Sequence, residues 1–374
     1  MATGYSLKDQ LFNAEKVRYL AGLLGAADPG FDPKAFESRV MARLSDLELK
    51  ARIHWIADCL ATSLPGPLPD TAPVLRAAMP APLDPTLKDN DFGDFIFAPL
   101  GEYVVAAGLE NHPDLSLDLL AEITQRFSME WAIRPFLNRW PDLVLTRMQD
   151  WAQHPSYHVR RLVSEGTRPR LPWGQGVDLQ LDQPLDLLDR LHGDPTRFVT
   201  RSVANHLNDI TKKDPDLAMD RLDNWADQSA QSGKELDWMT NHALRGLVKS
   251  GHPRALKMLG YDPDADMACT ITVKPSPVQI GGMLEFECIV QASHDTPVLV
   301  DYVIWFRKAD GSERPKVFKL KKAVVQAKQP LMMRKAHRLK GDATTFRLFP
   351  GSHWIAVQVN GRVHHSAEFD LTQP

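Results

Sequence analysis

Between Trp151 and Trp173 the chain reads WAQHPSYHVRRLVSEGTRPRLPW, a stretch that gathers four arginines around a single glutamate, Glu165, and ends on a tryptophan. A lone carboxylate among cations and beside an aromatic ring suits an anionic ligand that carries a reacting cationic centre. Pro155 and Ser156 mark a helix start, because the X-Pro peptide disfavours helix upstream and serine caps free backbone N–H groups. The helix is predicted from Tyr157 to about Gly166. Within it Val159, Leu162 and Val163 form an apolar stripe, while Arg161 and Glu165 stand four apart on another face. Arg168, Arg170 and Trp173 follow on a proline-interrupted extended segment that cannot continue the helix. The plain alternative for the same residues is an intrahelical ion pair followed by a solvated loop.

The elements that would position these groups repeat. An aromatic residue stands three before a polar one four times: Trp131 with Arg134, Tyr157 with Arg160, Phe198 with Arg201 and Trp238 with Asn241, at spacings of 26, 41 and 40 residues. Three of these helices are followed by a second, LVLTRMQDWA, PDLAMDRLDNWA and PRALKML, each opened by a proline. Two helices per roughly 40 residues predict a HEAT-like α-solenoid that stacks helix pairs and presents one concave surface. The repeated aromatics then serve as wedges between repeats. Upstream, residues 1 to about 60 predict two or three packed helices, and the seven prolines of residues 64–85 predict an irregular connection with at most a short helix. After about residue 265 the period changes to two. Segments such as LEFECIVQA, VLVDYVIWF and HWIAVQVNG, with turns at Asp310-Gly311 and Asn360-Gly361, predict about seven strands packed as an Ig-like β-sandwich over residues 268–374. The fold expected is therefore mainly α, a HEAT-like solenoid over 1–265 followed by a small all-β domain.

Composition is that of a soluble protein, with 43% hydrophobic and 24% charged residues in 374. The sparse cysteines, Cys59, Cys269 and Cys288, show no CxxC spacing, and no signal peptide or long apolar run occurs, so a reducing cytoplasm without membrane attachment is expected. The net charge of −3 conceals an asymmetry: from Ala268 onward 15 Lys+Arg face 9 Asp+Glu, which leaves 29 against 38 before it. An acidic body argues against indiscriminate nucleic-acid binding, yet clustered arginines can build a basic face locally.

The runs EWAIRPFLNRWPD, HPSYHVRRLVSEGTRPRLPWG and TRFVTRSVANHLNDITKKDPDLAMDRLDNW resemble the AlkC branch of the AlkC/AlkD superfamily, the HEAT-like-repeat DNA glycosylases. The likeness spans about residues 90–260, and longer members of that branch carry a C-terminal Ig-like domain. The resemblance implies hydrolysis of the N-glycosidic bond of cationic N-alkylated bases, such as 3-methyladenine and 3-methylcytosine, in kinked duplex DNA and without drawing the base into a pocket. That would depart from the base flipping usual among glycosylases. It implies Glu165 as the motif glutamate and Glu130 as its partner from the preceding repeat. A third candidate, Asp209, is open to a different reading as a cap or a partner of Lys212 or Lys213. Trp173 would pack against the deoxyribose of the lesion. Arg161, Arg168, Arg170, Lys212 and Lys213 would hold flanking phosphates. In the sandwich, Lys319 and Lys321 alternate with apolar residues on one strand and share a solvated face; with Arg338 they either grip the duplex from a second side or only keep that face solvated and guard an edge against aggregation. The sister branch places an aspartate where Arg134 stands here, so its site details do not carry over.

A base that already bears a positive charge leaves as a neutral molecule and needs no strong acid, so carboxylates that stabilise an oxocarbenium-like sugar and orient water would suffice. No metal or organic cofactor is called for, and the expected partner is damaged duplex DNA, bound by a monomer without an obligate protein partner. His364-His365 alternates faces on a strand and makes no chelating pair, and GxGxxG, GxxxxGK[ST] and GxSxG are absent. Glu130 also fits a first-turn glutamate favoured by the helix dipole. Two rival readings belong to other classes: a non-enzymatic HEAT scaffold for a protein partner, and a module that binds damage without cutting.

Overall fold

Apolar residues recur at helical spacing up to Ala243, and proline in the first turn or a side-chain acceptor opens half of the α-helices they define. The structure is a computed structural model and describes residues 6–87, 89, 91–274, 276–341, 343 and 346–373. It divides into two compact units, Met1–Ala243 and Leu244–Pro374. The first holds α1 (Leu7–Leu11), α2 (Ala14–Ala27), α3 (Pro33–Leu44), α4 (Leu49–Ser63), α5 (Leu68–Ala78), α6 (Ala98–Gly108) and α7 (Pro113–Ile123). Four helix pairs or part-pairs continue it: α8 (Ile133–Arg139) with α9 (Pro141–Trp151), α10 (Tyr157–Gly166) with α11 (Leu185–Leu191), α12 (Arg197–Ile210) with α13 (Pro215–Gln228), and α14 (Gly233–Ala243).

Stacking of the first helices positions the site. α10 packs on α12 and α12 on α14, each pair bridged by the side chains of its inner faces. Tyr157 and Phe198, the aromatics that open α10 and α12, meet edge to face at 6.0 Å, so at this step the repeated aromatic is indeed shared between repeats. Every residue of α10 but Arg160 is buried, including Arg161 and Glu165. Its C-terminal Gly166 lies so close to α8 that a Cβ there would sit 2.6 Å from Ile133 Cγ2.

Two local expectations change. The proline-rich segment 64–85 contains the eleven-residue α5, whose Leu68, Ala72 and Leu75 are buried. Pro69 falls in the first turn, where a missing N–H costs nothing, and burial of the apolar face outweighs the one internal proline, Pro73. Ser156 does occupy the N-cap of α10 but makes no side-chain cap; instead Arg160 reaches back to the carbonyls of His154 and Pro155 at 2.8 and 2.9 Å.

In the second unit α15 (Arg245–Ser250) and α16 (Pro253–Met258) precede eight strands: β1 (Met267–Lys274), β2 (Val278–Gln279), β3 (Met283–Ala292), β4 (Thr296–Arg307), β5 (Glu313–Val325), β6 (Leu331–Arg338), β7 (Gly351–Val359) and β8 (Arg362–Thr372). They form two sheets, β1-β3-β6 and β2-β8-β7-β4-β5, antiparallel except for the short β2–β8 pair. Their facing side chains, among them Phe286, Cys288, Tyr302, Ile355 and Phe369, make the sandwich core. The unit begins at Leu244, earlier than the boundary near 265 expected from periodicity, because the two short helices pack on the β7–β8 turn, where a Cβ on Gly361 would sit 2.6 Å from Leu256 Cδ1 and from Gly251 Cα. Buried Asn360 accepts from Leu299 N at 2.8 Å and donates to Asp262 O at 2.9 Å. Asn360 and Gly361 both have positive φ, 47° and 80°, as the two-residue β7–β8 turn requires.

Candidate active site in the helical unit

Four residues after the aromatic that opens α10 stands Arg161, and four after the one that opens α12 stands Ser202; this shared register aims both into one cleft of about 430 Å³. Phe92, Phe95, Phe127, Trp131, Trp173 and Phe198 supply its aromatic walls, and Glu130, Arg161, Glu165, Arg168 and Ser202 its polar side. Glu165 is buried within it, 4% exposed. Its Oε1 accepts from Arg168 Nη1 at 2.5 Å and its Oε2 from Ser202 Oγ at 2.6 Å, with Arg161 Nη2 3.7 Å from Oε2. Burial pushes the Glu165 carboxyl up, but Arg161 and Arg168 together with the bonds from Ser202 and Arg168 outweigh it and hold the group below the usual glutamate range.

The cluster extends on both sides as a chain of alternating charge. Arg161 Nη1 donates to Glu130 Oε2 and to Ser128 Oγ, both at 2.8 Å, and Ser128 donates to Glu130 in turn. Arg168 donates to Asp209 Oδ2 through Nε at 2.9 Å, and Lys212 Nζ meets Asp209 Oδ1 at 2.7 Å. Of the three carboxylates Glu130 is the most open, with 17% of its side chain exposed against 6% for Glu165. Asp209 joins through Arg168 rather than from the cleft wall. Arg161 is further sandwiched by rings, its Cζ 4.5 Å from the Phe198 centroid and 5.2 Å from that of Phe92. Such a pocket offers negative charge and π-faces to a cation in a site of low dielectric, where both act strongly.

The remaining candidates fall into two groups. Arg161 and Arg168 are buried and committed to carboxylates, so they brace the cluster; a guanidinium so paired cannot also wrap a phosphate without surrendering its partners. Arg170, Lys212 and Lys213 are exposed in the same unit. Trp173 is 55% exposed, with its ring 6.1 Å from Trp131 and its φ at 64°. That left-handed backbone costs a bulky residue about 1–2 kcal/mol. Lys319, Lys321 and Arg338 belong to the second unit, exposed on β5 and β6, and β5 is an edge strand. Ser128 and Ser202, each donating to one glutamate, escaped the sequence reading; the aromatic-plus-four register was the signal that would have found Ser202. Among the described residues no group of three or more His, Cys, Asp or Glu is arranged to hold a metal, and no helix is long and apolar enough to cross a membrane.

Comparison with known proteins then bears on the whole chain. Alkylpurine DNA glycosylase AlkC of Pseudomonas fluorescens, solved bound to DNA containing an abasic-site analogue, superposes with a TM-score of 0.86 at 32% identity, covering 98% of this chain and 100% of that one. The chain belongs to the AlkC family. A curated relative, uncharacterized protein YhaZ of Bacillus subtilis (strain 168), is 31% identical over 369 residues, 97% of this chain and 98% of its own length. The family described as the C-terminal Ig-like domain of YhaZ matches residues 268–373, the strands of the second unit. This AlkC-family chain thus has the helical-repeat body followed by a β domain that its sequence predicts.

Proposed function

We propose that the protein is a DNA glycosylase of base excision repair that removes cationic N-alkylated bases, of the 3-methyladenine and 3-methylcytosine class, from duplex DNA. The observation that carries this reading is Glu165: a carboxylate in an aromatic-walled cleft, kept in its charged form by two arginines and a serine. In the proposed reaction the C1′–N bond breaks with its electron pair passing to the base, which leaves neutral. Glu165 and Glu130 stabilise the positive sugar, and water adds its oxygen to C1′ while a cleft carboxylate takes the proton. Asp209 supports this through Arg168. Trp173 packs on the deoxyribose, and Arg170, Lys212 and Lys213 contact flanking phosphates. The same reading has the enzyme act on the lesion in the duplex without base flipping, with the basic β5 and β6 residues Lys319, Lys321 and Arg338 gripping the DNA, and as a cytoplasmic monomer without cofactor.

The test is excision itself. Duplexes carrying 3-methyladenine or 3-methylcytosine are incubated with the protein, and released base and alkali-labile abasic sites are measured. Release above the uncatalysed rate is expected; tight binding without abasic product would instead make it a damage-binding module, and tight capture of a protein with neither would favour a scaffold.

A further inference from the structure

Trp173 holds a backbone conformation that its own side chain disfavours, while its ring stands half in solvent at the cleft mouth. It occupies the third position of a turn closed by Gly174 N donating to Leu171 O at 3.2 Å, with Pro172 second; glycine or asparagine is usual at a third position of positive φ. A strained residue of this kind persists only where its surroundings over-determine it. Three side chains from two other helices do so here. Arg134 of α8, fully buried, donates to the carbonyls of Gly166 at 2.9 Å, Arg168 at 3.0 Å and Gln175 at 2.5 Å, so one guanidinium ties both ends of the segment that carries Trp173. Asn138, one turn later on α8, donates to Gly176 O at 3.0 Å and accepts from Asp178 N at 3.0 Å. Lys50 of α4 donates to the carbonyl of Trp173 itself.

We propose that Arg134, Asn138 and Lys50 are positioning residues that act through Trp173, fixing its ring against the cleft before any substrate arrives. The proposal rests on the glycosylase reading for the consequence of that positioning, though not for the positioning itself. Arg134 also sets the backbone of Arg168, which holds Glu165 and Asp209, so one interior side chain couples the aromatic probe to the carboxylates. Asn138 and Lys50 are exposed and touch the segment only at its backbone, so their removal tests the brace without opening the core.

The experiment has two arms. In protein labelled with 5-fluorotryptophan, the resonance of Trp173 is identified by its loss in Trp173→Phe. Asn138→Ala and Lys50→Ala are expected to shift or broaden that resonance in the absence of DNA, and an unchanged resonance overturns the brace. In single-turnover excision, Asn138→Ala is expected to slow the rate about tenfold at unchanged DNA affinity, since small misplacements of a contacting group cost up to about a hundredfold. Combined with Trp173→Ala it should cost nothing further, because the two act as a unit. Additive losses, or no loss while the parent excises normally, would overturn action through Trp173. If the parent releases no base, the proposed function fails and the resonance alone decides the brace. Arg134→Gln should give the larger change in both arms where it folds.

Discussion

At the scale of single residues the site is a lesson in which arginines are available. Arg168 bonds Glu165 and Asp209 and is buried, whereas Arg170, two residues on, points to solvent. Removing Arg168 takes one partner from each of two buried carboxylates, leaving Glu165 with Ser202 and Arg161 and Asp209 with Lys212, a loss of up to about 3–5 kcal/mol. Arg168→Ala should therefore lower thermal stability and excision together. Arg170→Ala should leave the melt alone, weaken DNA binding and reduce the salt dependence of the affinity by about one unit of slope. Affinity titrations across salt concentrations check this; an unchanged slope for Arg170→Ala removes it from the phosphate contacts. Glu130→Gln, at the more open carboxylate, should slow excision with little effect on stability, because its side chain keeps contact with water.

At the scale of elements, β4 carries an unusual liability. Asp301 is buried on it, its Oδ1 has no hydrogen-bond partner among the described residues, and burial pushes its carboxyl up to about 6 despite Lys319, Lys249 and Lys322 nearby. A carboxyl raised in the folded state above its ordinary 3.8 binds its proton more tightly when folded, so stability is greatest below 3.8 and falls as pH rises through about 6. Asp301→Asn should match the parent near pH 4 and exceed it by up to about 3 kcal/mol at pH 7.5. Hydrogen-exchange protection of the β4 and β7 amides measures it, and equal protection at both pH values would refute it.

Element by element, legibility followed period and punctuation. α10 could be bounded from the sequence because Pro155 and Ser156 start it and the proline-rich segment stops it. The β7–β8 turn was readable from Asn-Gly. α5 was hidden because local proline content says nothing of the apolar neighbours that rescue a helix, and α11, only seven residues long, lacked the repeating pattern of the other second helices. In the cluster, the charged residues were visible as types and spacing. Their pairing was not: that Arg161 bonds Glu130, 31 residues away, depends on how α10 stacks on its neighbours.

At the scale of the whole molecule, the division after Ala243 changes how the basic domain should be tested. A cut near residue 268 would leave α15 and α16 behind without the β7–β8 turn, whose Gly361 lies against Gly251 and Leu256. Deletion of residues 244–374 should instead leave a folded helical unit, soluble and helical by circular dichroism, with greatly reduced excision. Bending a short duplex costs a few kcal/mol, which phosphate contacts from Lys319, Lys321 and Arg338 would offset in the intact protein. Full activity in the truncated protein would exclude the second unit from handling DNA.

If the charge of Glu165 drives bond cleavage, as proposed, a single substitution probes it with little change of shape. Single-turnover excision of 3-methyladenine or 3-methylcytosine from duplex DNA is measured for Glu165→Gln and the parent, with DNA affinity and melting temperature in parallel. Loss of a preorganised electrostatic group of about 3–4 kcal/mol predicts a rate lower by two to three orders of magnitude at nearly equal affinity. A variant that excises as fast as the parent would show that the charge does not drive the reaction, and one whose affinity and melting temperature collapse in step with its rate would show that Glu165 supports the fold instead.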